Sequence, residues 1–235
     1  MASLRRLYRL FVPEPVPPCD PETLEVLTRT LARDSCAVDV GANRGSILRE
    51  IVRLAPDGRH FAFEPIPRLF RWLTRRFPGV TCRQFALSDA AGSATFNYFE
   101  RADGFSGLLR RPDVETQSGA ARPITVETAR LDDVVPVDVR VAFIKIDVEG
   151  AEFRVLMGAR ETLRRCRPVV VFECGKGGLD QDGRTPEQVF DLLASLGMEL
   201  RPLIGWPEAP PLMQQGFADA FRSGEHYMWV ASPAT

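Results

Sequence analysis

The sequence predicts an α/β fold, a mostly parallel sheet with helices on both faces. Three observations carry that expectation. Short apolar runs alternate with amphipathic stretches of helical spacing through most of the 235 residues, which is the pattern of βαβ units. Four of the apolar runs end on an acid, at Asp39, Glu64, Asp147 and Glu173. The first of them passes directly into a glycine-bearing turn, AVDVGANRGS over residues 37–46, a sequence suited to exchanging a strand for a helix within a few residues.

Taken in order, the opening stretch MASLRRLYRLFV is basic and amphipathic and predicts a surface or docking helix. Its apolar run is too short for a signal-peptide core or a membrane span. Residues 13–21, PEPVPPCDP, form a proline-rich break, after which Asp20 and Pro21 suit the start of a helix to about Arg33. The expected division is therefore an N-terminal helical extension, 1–34, and a catalytic-looking domain, 35–235. Within the domain the pattern gives a strand to Val40, a helix from Ser46 to about Ala55 and a strand from His60 to Glu64. A helix from Pro67 to Phe77 and a strand from Val80 to Leu87 follow. Residues 93–100 and 124–129 read as an inserted hairpin or sheet extension, with an aperiodic loop at 101–123 between them. Regularity returns with a buried-type strand, Val141 to Asp147, and a helix from about Ala151 to Arg165. Further strands are expected at Pro168 to Glu173, Met198 to Ile204 and Tyr227 to Ala231, with a helix from Pro186 to Leu196 and a proline-rich loop over 205–224.

Composition excludes several partners. Charged residues are 26% of the chain and the formal net charge is −1, so neither nucleic acid nor an anionic membrane is expected. The arginine clusters, such as Arg71, Arg75 and Arg76, fall at helical spacing and read as solvated helix faces. The five cysteines are odd in number and widely spaced, giving neither a disulfide framework nor a metal clip and pointing to a reducing, cytoplasmic setting. No transmembrane segment is expected, and a homo-oligomer remains open.

The turn after the first strand sets the chemistry. Gly41 suits a positive φ, Asn43 tolerates the left-handed region, and Gly45 with Ser46 opens a helix. The dinucleotide fingerprint G-x-G-x-x-G needs glycine where this chain has Asn43 and Ser46. Asp39 would also repel a pyrophosphate. Both facts, with the lack of a convincing Tyr-x-x-x-Lys, disfavour an NAD-dependent oxidoreductase and favour a cationic ligand such as S-adenosylmethionine. Glu64, 23 residues beyond Gly41, stands where an acid would grip a ribose diol. A non-catalytic binding module of similar fold would be marked by loss of the strand-end acids, which are present.

Four motifs, VDVGANRGS, FEPIPRLFRWL, ALSDAAGSATF and IKIDVEGAEFRVLMGA, occur in that order over residues 36–175 and resemble the FkbM-type family of S-adenosylmethionine-dependent methyltransferases. The resemblance implies the class I methyltransferase (Rossmann-like) fold, with a seven-stranded sheet whose last strand is antiparallel. It also implies O-methylation of a small-molecule or glycosylated acceptor. Under it Asp39, Gly41, Asn43 and Gly45 would surround the methionine part of the cofactor. Glu64, with Pro65 beside it, would bind the ribose, and residues 84–89, including Ala86 and Leu87, would lie beside the adenine. Family members often have asparagine where this chain has Gln84.

Lys145, Asp147 and Glu149 alternate, so they share one side if the strand runs that far. The three are the catalytic candidates, near the transferred methyl group: Asp147 for holding acceptor or cofactor, Glu149 for the base, and Lys145 beside them. The competing reading has Asp147 and Glu149 cap the next helix and pair with Lys145. Glu173 and His226 are further groups that either reach an acceptor or are structural. No ligand spacing calls for a metal, the one alternative being Mg²⁺ on the oxygens of Asp147, Glu149 and Glu173.

Overall fold

The computed structural model describes residues 16–234; the basic amphipathic stretch at the N-terminus lies outside the described residues. Its framework is a seven-stranded sheet in the order β3-β2-β1-β7-β8-β10-β9. These strands are β1 (Cys36–Val40), β2 (Phe61–Phe63), β3 (Thr81–Arg83), β7 (Val141–Ile146), β8 (Val169–Glu173), β9 (Met198–Pro202) and β10 (Met228–Pro233). Neighbours pair in parallel except β10, which runs antiparallel to both β8 and β9. The last strand is thus the reversed one, as expected.

β1 and β7 read as near-continuous apolar runs because both faces of the sheet are covered. Alternate residues go to opposite sides. Ala37, Phe143, Val171 and Val230 face a layer made by α1 (Pro21–Thr30) and α2 (Ser46–Leu54), through Val26, Leu27, Ile47 and Ile51. Val38, Ile144, Val170 and Trp229 face the other layer, where Leu156, Leu163 and Phe217 belong to α6 (Glu152–Gly158), α7 (Arg160–Cys166) and α9 (Gln214–Ser223). The Asp20 carboxylate accepts the Thr23 amide at 2.7 Å and starts α1. α3 (Pro67–Arg76) and α8 (Pro186–Ser195) open on prolines as the sequence suggests.

Three expectations need correction. The strand expected from Val80 to Leu87 is two: β3 pairs with β2 as far as Arg83, whereas β4 (Ala86–Leu87) crosses into a second sheet of order β4-β6-β5. There β5 (Gly92–Tyr98) and β6 (Arg122–Ala129) form the anticipated antiparallel hairpin. The helix expected over 151–165 breaks between α6 and α7, next to Gly158, where a side chain would collide with the Ser88 carbonyl. The loop expected over 205–224 contains α9, whose Phe217 meets Trp229 edge to face at 4.6 Å. Short helices α4 (Pro112–Ser118) and α5 (Leu131–Val134) complete the chain, with a 3₁₀ turn at Asp103–Phe105.

Among the described residues no helix is long and apolar enough to cross a membrane. The strand order reverses between β1 and β7, and the carboxyl edge at that reversal is where open α/β sheets bind ligands.

Candidate active site

The turn after β1 takes the backbone its glycines allow: φ is 76° at Gly41, 46° at Asn43 and 81° at Gly45. Gly41 is required twice over, since a side chain there would also collide with the Asp147 carbonyl oxygen. The amides of Gly41 and Ala42 donate to the Phe63 carbonyl at 3.0 and 3.1 Å, and that of Asn43 to Glu64 Oε2 at 2.9 Å. These three amides are therefore spent on the end of β2 and are not presented to a pyrophosphate, which weighs against the dinucleotide alternative.

Glu64 is buried, and its second oxygen accepts the Ile66 amide at 2.8 Å. Burial pushes its carboxyl up to about 7, against the pull of the two amides. Beside it opens a cleft with a mostly apolar lining and a few convergent polar groups, the character of a small-ligand site. Eight residues expected at the cofactor border it: Gly41, Asn43, Glu64, Pro65, Phe85, Ala86, Leu87 and Asp147. Asp39 and Gly45 do not reach its wall. Asp39 is buried beneath the turn, pushed up by burial to about 7, with Oδ2 lacking any hydrogen-bond partner. Gly45 packs against the Phe77 ring. Gln84 is exposed and absent from the lining, while Phe85 is part of it.

The inserted layer supplies wall residues that sequence reasoning missed, among them Phe96, Asp103, Ser106 and Leu108. Asp103 is buried and holds Arg44 Nη2 at 3.0 Å and Arg68 Nη2 at 2.5 Å. One acid in an aperiodic, glycine-bearing loop gives no signal in the sequence, because its two partners lie 59 and 35 residues away.

At the end of β7 the regular strand stops at Ile146, so the alternation does not carry through to Glu149, which sits in a turn at φ 60°. Lys145 and Asp147 do share a side: the buried ammonium lies 3.0 Å from Asp147 Oδ2. Burial disfavours both charges, but each outweighs it for the other. Lys145 is raised, and Asp147 is held below its ordinary value by Lys145 and by a hydrogen bond with Glu173. Glu149 is driven up to about 8 by burial and by Asp147, against the Arg111 guanidinium at 2.6 Å. Glu173 is driven up to about 9 by burial and then by Asp147, Glu149 and Glu152. Carboxylate oxygens of Asp147, Glu149 and Glu173 lie within 4.8 Å of one another. Neither Asp147 nor Glu149 caps the next helix. That helix start carries no side-chain cap, and Glu152 instead ties the turn before it, accepting the Val148 and Gly150 amides at 3.0 and 3.1 Å.

A second, wider cleft of about 1150 Å³ adjoins the first, bordered by Lys145, Glu173, His226 and Tyr227 together with Cys19 and Asp20 before α1. Asp147 is the residue the two linings have in common. His226, expected either near an acceptor or merely structural, lines this cleft and also stacks edge to face on Trp229 at 5.8 Å.

Residues 39–200 match the family described as Methyltransferase FkbM domain. The chain belongs to the FkbM methyltransferase family. It is an S-adenosylmethionine-dependent methyltransferase domain, 32% identical over 155 residues to Methyltransferase sdnD of Sordaria araneosa, a match covering 53% of this chain and 60% of that protein. It is 34% identical over 153 residues to 2-O-methyltransferase NoeI of Sinorhizobium fredii, covering 57% and 61%. The chain thus spans about three fifths of the length of these curated relatives. Among solved structures, Methyltransferase FkbM from Methylobacillus flagellatus KT superposes with a TM-score of 0.50 at 16% identity, over 86% of this chain and 44% of that one. At that identity the likeness speaks for the fold alone.

The residues of this FkbM domain fit the cofactor. The apolar slot of Pro65, Ile66, Phe85, Ala86 and Leu87 suits an adenine, and the Glu64 carboxylate retains lone pairs for ribose hydroxyls. The ionised Asp147 at the cleft wall provides negative character for a sulfonium.

Proposed function

We propose that the FkbM domain methylates a hydroxyl oxygen of a small-molecule or sugar-containing acceptor held in the second cleft. One observation carries this reading: Asp147 is common to both clefts, so a ligand in either one reaches the same carboxylate. The bound cofactor supplies an electrophilic methyl group on a sulfonium. Transfer to oxygen requires the acceptor hydroxyl to be aligned and relieved of its proton. Asp147, ionised and 41% exposed, takes that proton in this reading, with Lys145 holding Oδ2. Glu149 borders only the cofactor cleft and faces Arg111, which favours Asp147 over Glu149 as the base and gives Glu149 the role of fastening the inserted layer.

Oxygen as the accepting atom is supported by the 2-O-methyltransferase relative. A sugar-like acceptor is supported by carboxylates at Asp20, Glu22 and Glu225 that can accept hydroxyl protons, and by Tyr227, 64% exposed at the rim, which can cover an apolar ring face. All five cysteines are free, which supports a reducing, cytoplasmic setting. The test is transfer of labelled methyl from S-adenosylmethionine to a panel of neutral glycosides and hydroxylated small molecules. Asp147→Asn is expected to lower turnover on the order of 10²–10⁴-fold while S-adenosylhomocysteine affinity, read by calorimetry, changes only a few-fold. Retained turnover in Asp147→Asn, or methylation confined to nitrogen acceptors, would overturn the reading.

A further inference from the structure

Five carboxyl groups, Asp39, Asp147, Glu149, Glu152 and Glu173, crowd the carboxyl edge around β7, and two basic groups answer them, Lys145 on Asp147 and Arg111 on Glu149. Glu152 is satisfied by backbone amides of the turn. Among the described residues Glu173 makes no ion pair: the Lys145 ammonium, bound to Asp147 at 3.0 Å, acts on Glu173 only through space. It ends β8, one strand over from Asp147, and its oxygen lies within 4.8 Å of those of Asp147 and Glu149. Three ionised carboxylates at that spacing repel one another strongly, and the cheapest remedy is a proton on the member without a cation.

We propose that Glu173 works as a neutral carboxylic acid that donates a hydrogen bond to Asp147, keeping Asp147 ionised and fixing its carboxylate between the two clefts. It is a positioning residue, and the proposal rests on Asp147 being the group that receives the acceptor proton. The donor role follows from electrostatics as well as contact. Glu173 faces the acids Asp147 on the β7 side, Glu149 in the turn and Glu152 on α6, and the one cation on β7, Lys145, is already bound to Asp147. From β10 and the segment before α1, the second cleft adds His226, Glu225, Asp20 and Glu22. Burial and this negative surround both favour the protonated form, consistent with its pKa of about 9. A neutral donor orients Asp147 without cancelling its charge, whereas a second anion at Glu173 would raise the proton affinity of Asp147 and push the two side chains apart. The dyad therefore holds one proton across the neutral range, and the base remains available to the acceptor.

The proposal can be tested without an acceptor. In protein carrying ¹³C-carboxyl glutamate, the resonance that disappears in Glu173→Gln is followed against pH. Its midpoint is expected above pH 8 in the wild type and about one pH unit lower in Asp147→Asn, where the facing charge is gone. A wild-type midpoint in the ordinary carboxylate range overturns the proposal by itself, and so does a midpoint that Asp147→Asn leaves in place. With an acceptor in hand, the turnover profile is expected to fall on its alkaline side as Glu173 ionises, and Glu173→Gln, which keeps a donor but cannot ionise, is expected to lack that limb. Failure of the oxygen-acceptor reading would show as absent methyl transfer with the titration intact, so the two failures are distinguishable.

Discussion

At Glu64 both carboxylate oxygens already accept backbone amides, Oε2 from Asn43 and Oε1 from Ile66, before any ligand is considered. The same side chain therefore ties the turn after β1 to the start of α3 and presents its remaining lone pairs to the cofactor cleft. Glu64→Gln removes the charge and turns an NH₂ toward one of those amides. Hydrogen bonds to charged groups are worth about 1.5–3 kcal/mol, so S-adenosylhomocysteine affinity is expected to fall roughly ten- to a hundredfold, read by calorimetry. Affinity within about twofold of wild type would remove Glu64 from the cofactor's contacts. Single residues of this kind were legible because the chemistry was local: an acid at a strand end, or glycine where φ must be positive, as at Gly41. Glu149 was not, because its place depends on where β7 stops and on a partner, Arg111, lying 38 residues earlier.

The inserted layer of β4, β5 and β6 forms one wall of the cofactor cleft and is fastened at two points. Asp103 grips Arg44 of the glycine turn and Arg68 of α3, while Arg111 grips Glu149 beyond β7. Between them Gly107 lies so close to Val148 and Glu149 that a side chain would meet the Val148 carbonyl at 3.0 Å. The layer therefore rests on the same turn that carries Asp147 and Glu149. Asp103→Asn keeps the shape but gives up a buried charge facing two guanidinium groups, an unfavourable exchange. S-adenosylhomocysteine is expected to dissociate on the order of tenfold faster in stopped flow, by the roughly 1.4 kcal/mol that such a ratio represents. An unchanged off-rate would mean that this pair does not restrain the layer. The hairpin itself was readable from its alternating residues. Its role as a wall was not, since the connecting segment has no period and its anchors are far apart in sequence. α9 escaped for a related reason: proline and glycine around it mask a helix whose burial of Phe217 and Phe221 is specified by β10 and α8 rather than by its own pattern.

For the molecule as a whole, gathering acids at one sheet edge sets a pH dependence opposite to that of most proteins stabilised by ionised carboxylates. Asp39, Glu64 and Glu152 are raised to about 7, Glu149 to about 8 and Glu173 to about 9, in each case chiefly by burial. The unfolded chain loses the same protons near pH 4. Between those limits the folded form binds more protons than the unfolded one, so stability must fall as pH rises. The contribution is complete below about pH 4, shrinks as pH climbs toward 7, and is exhausted above about 9 when Glu173 has ionised. His60, whose pKa burial lowers, works the other way by favouring the folded state above its unfolded value, but it is one group against five. The melting temperature of the cofactor-free protein is therefore expected to decline continuously from pH 6.5 to pH 9 in a scan by differential scanning fluorimetry, and Glu173→Gln should flatten the upper part of that slope. A melting temperature that rises across this interval would mean that the carboxyls at the strand ends are ionised in the folded protein. The edge would then be held together by attraction to cations rather than by protons shared among its acids.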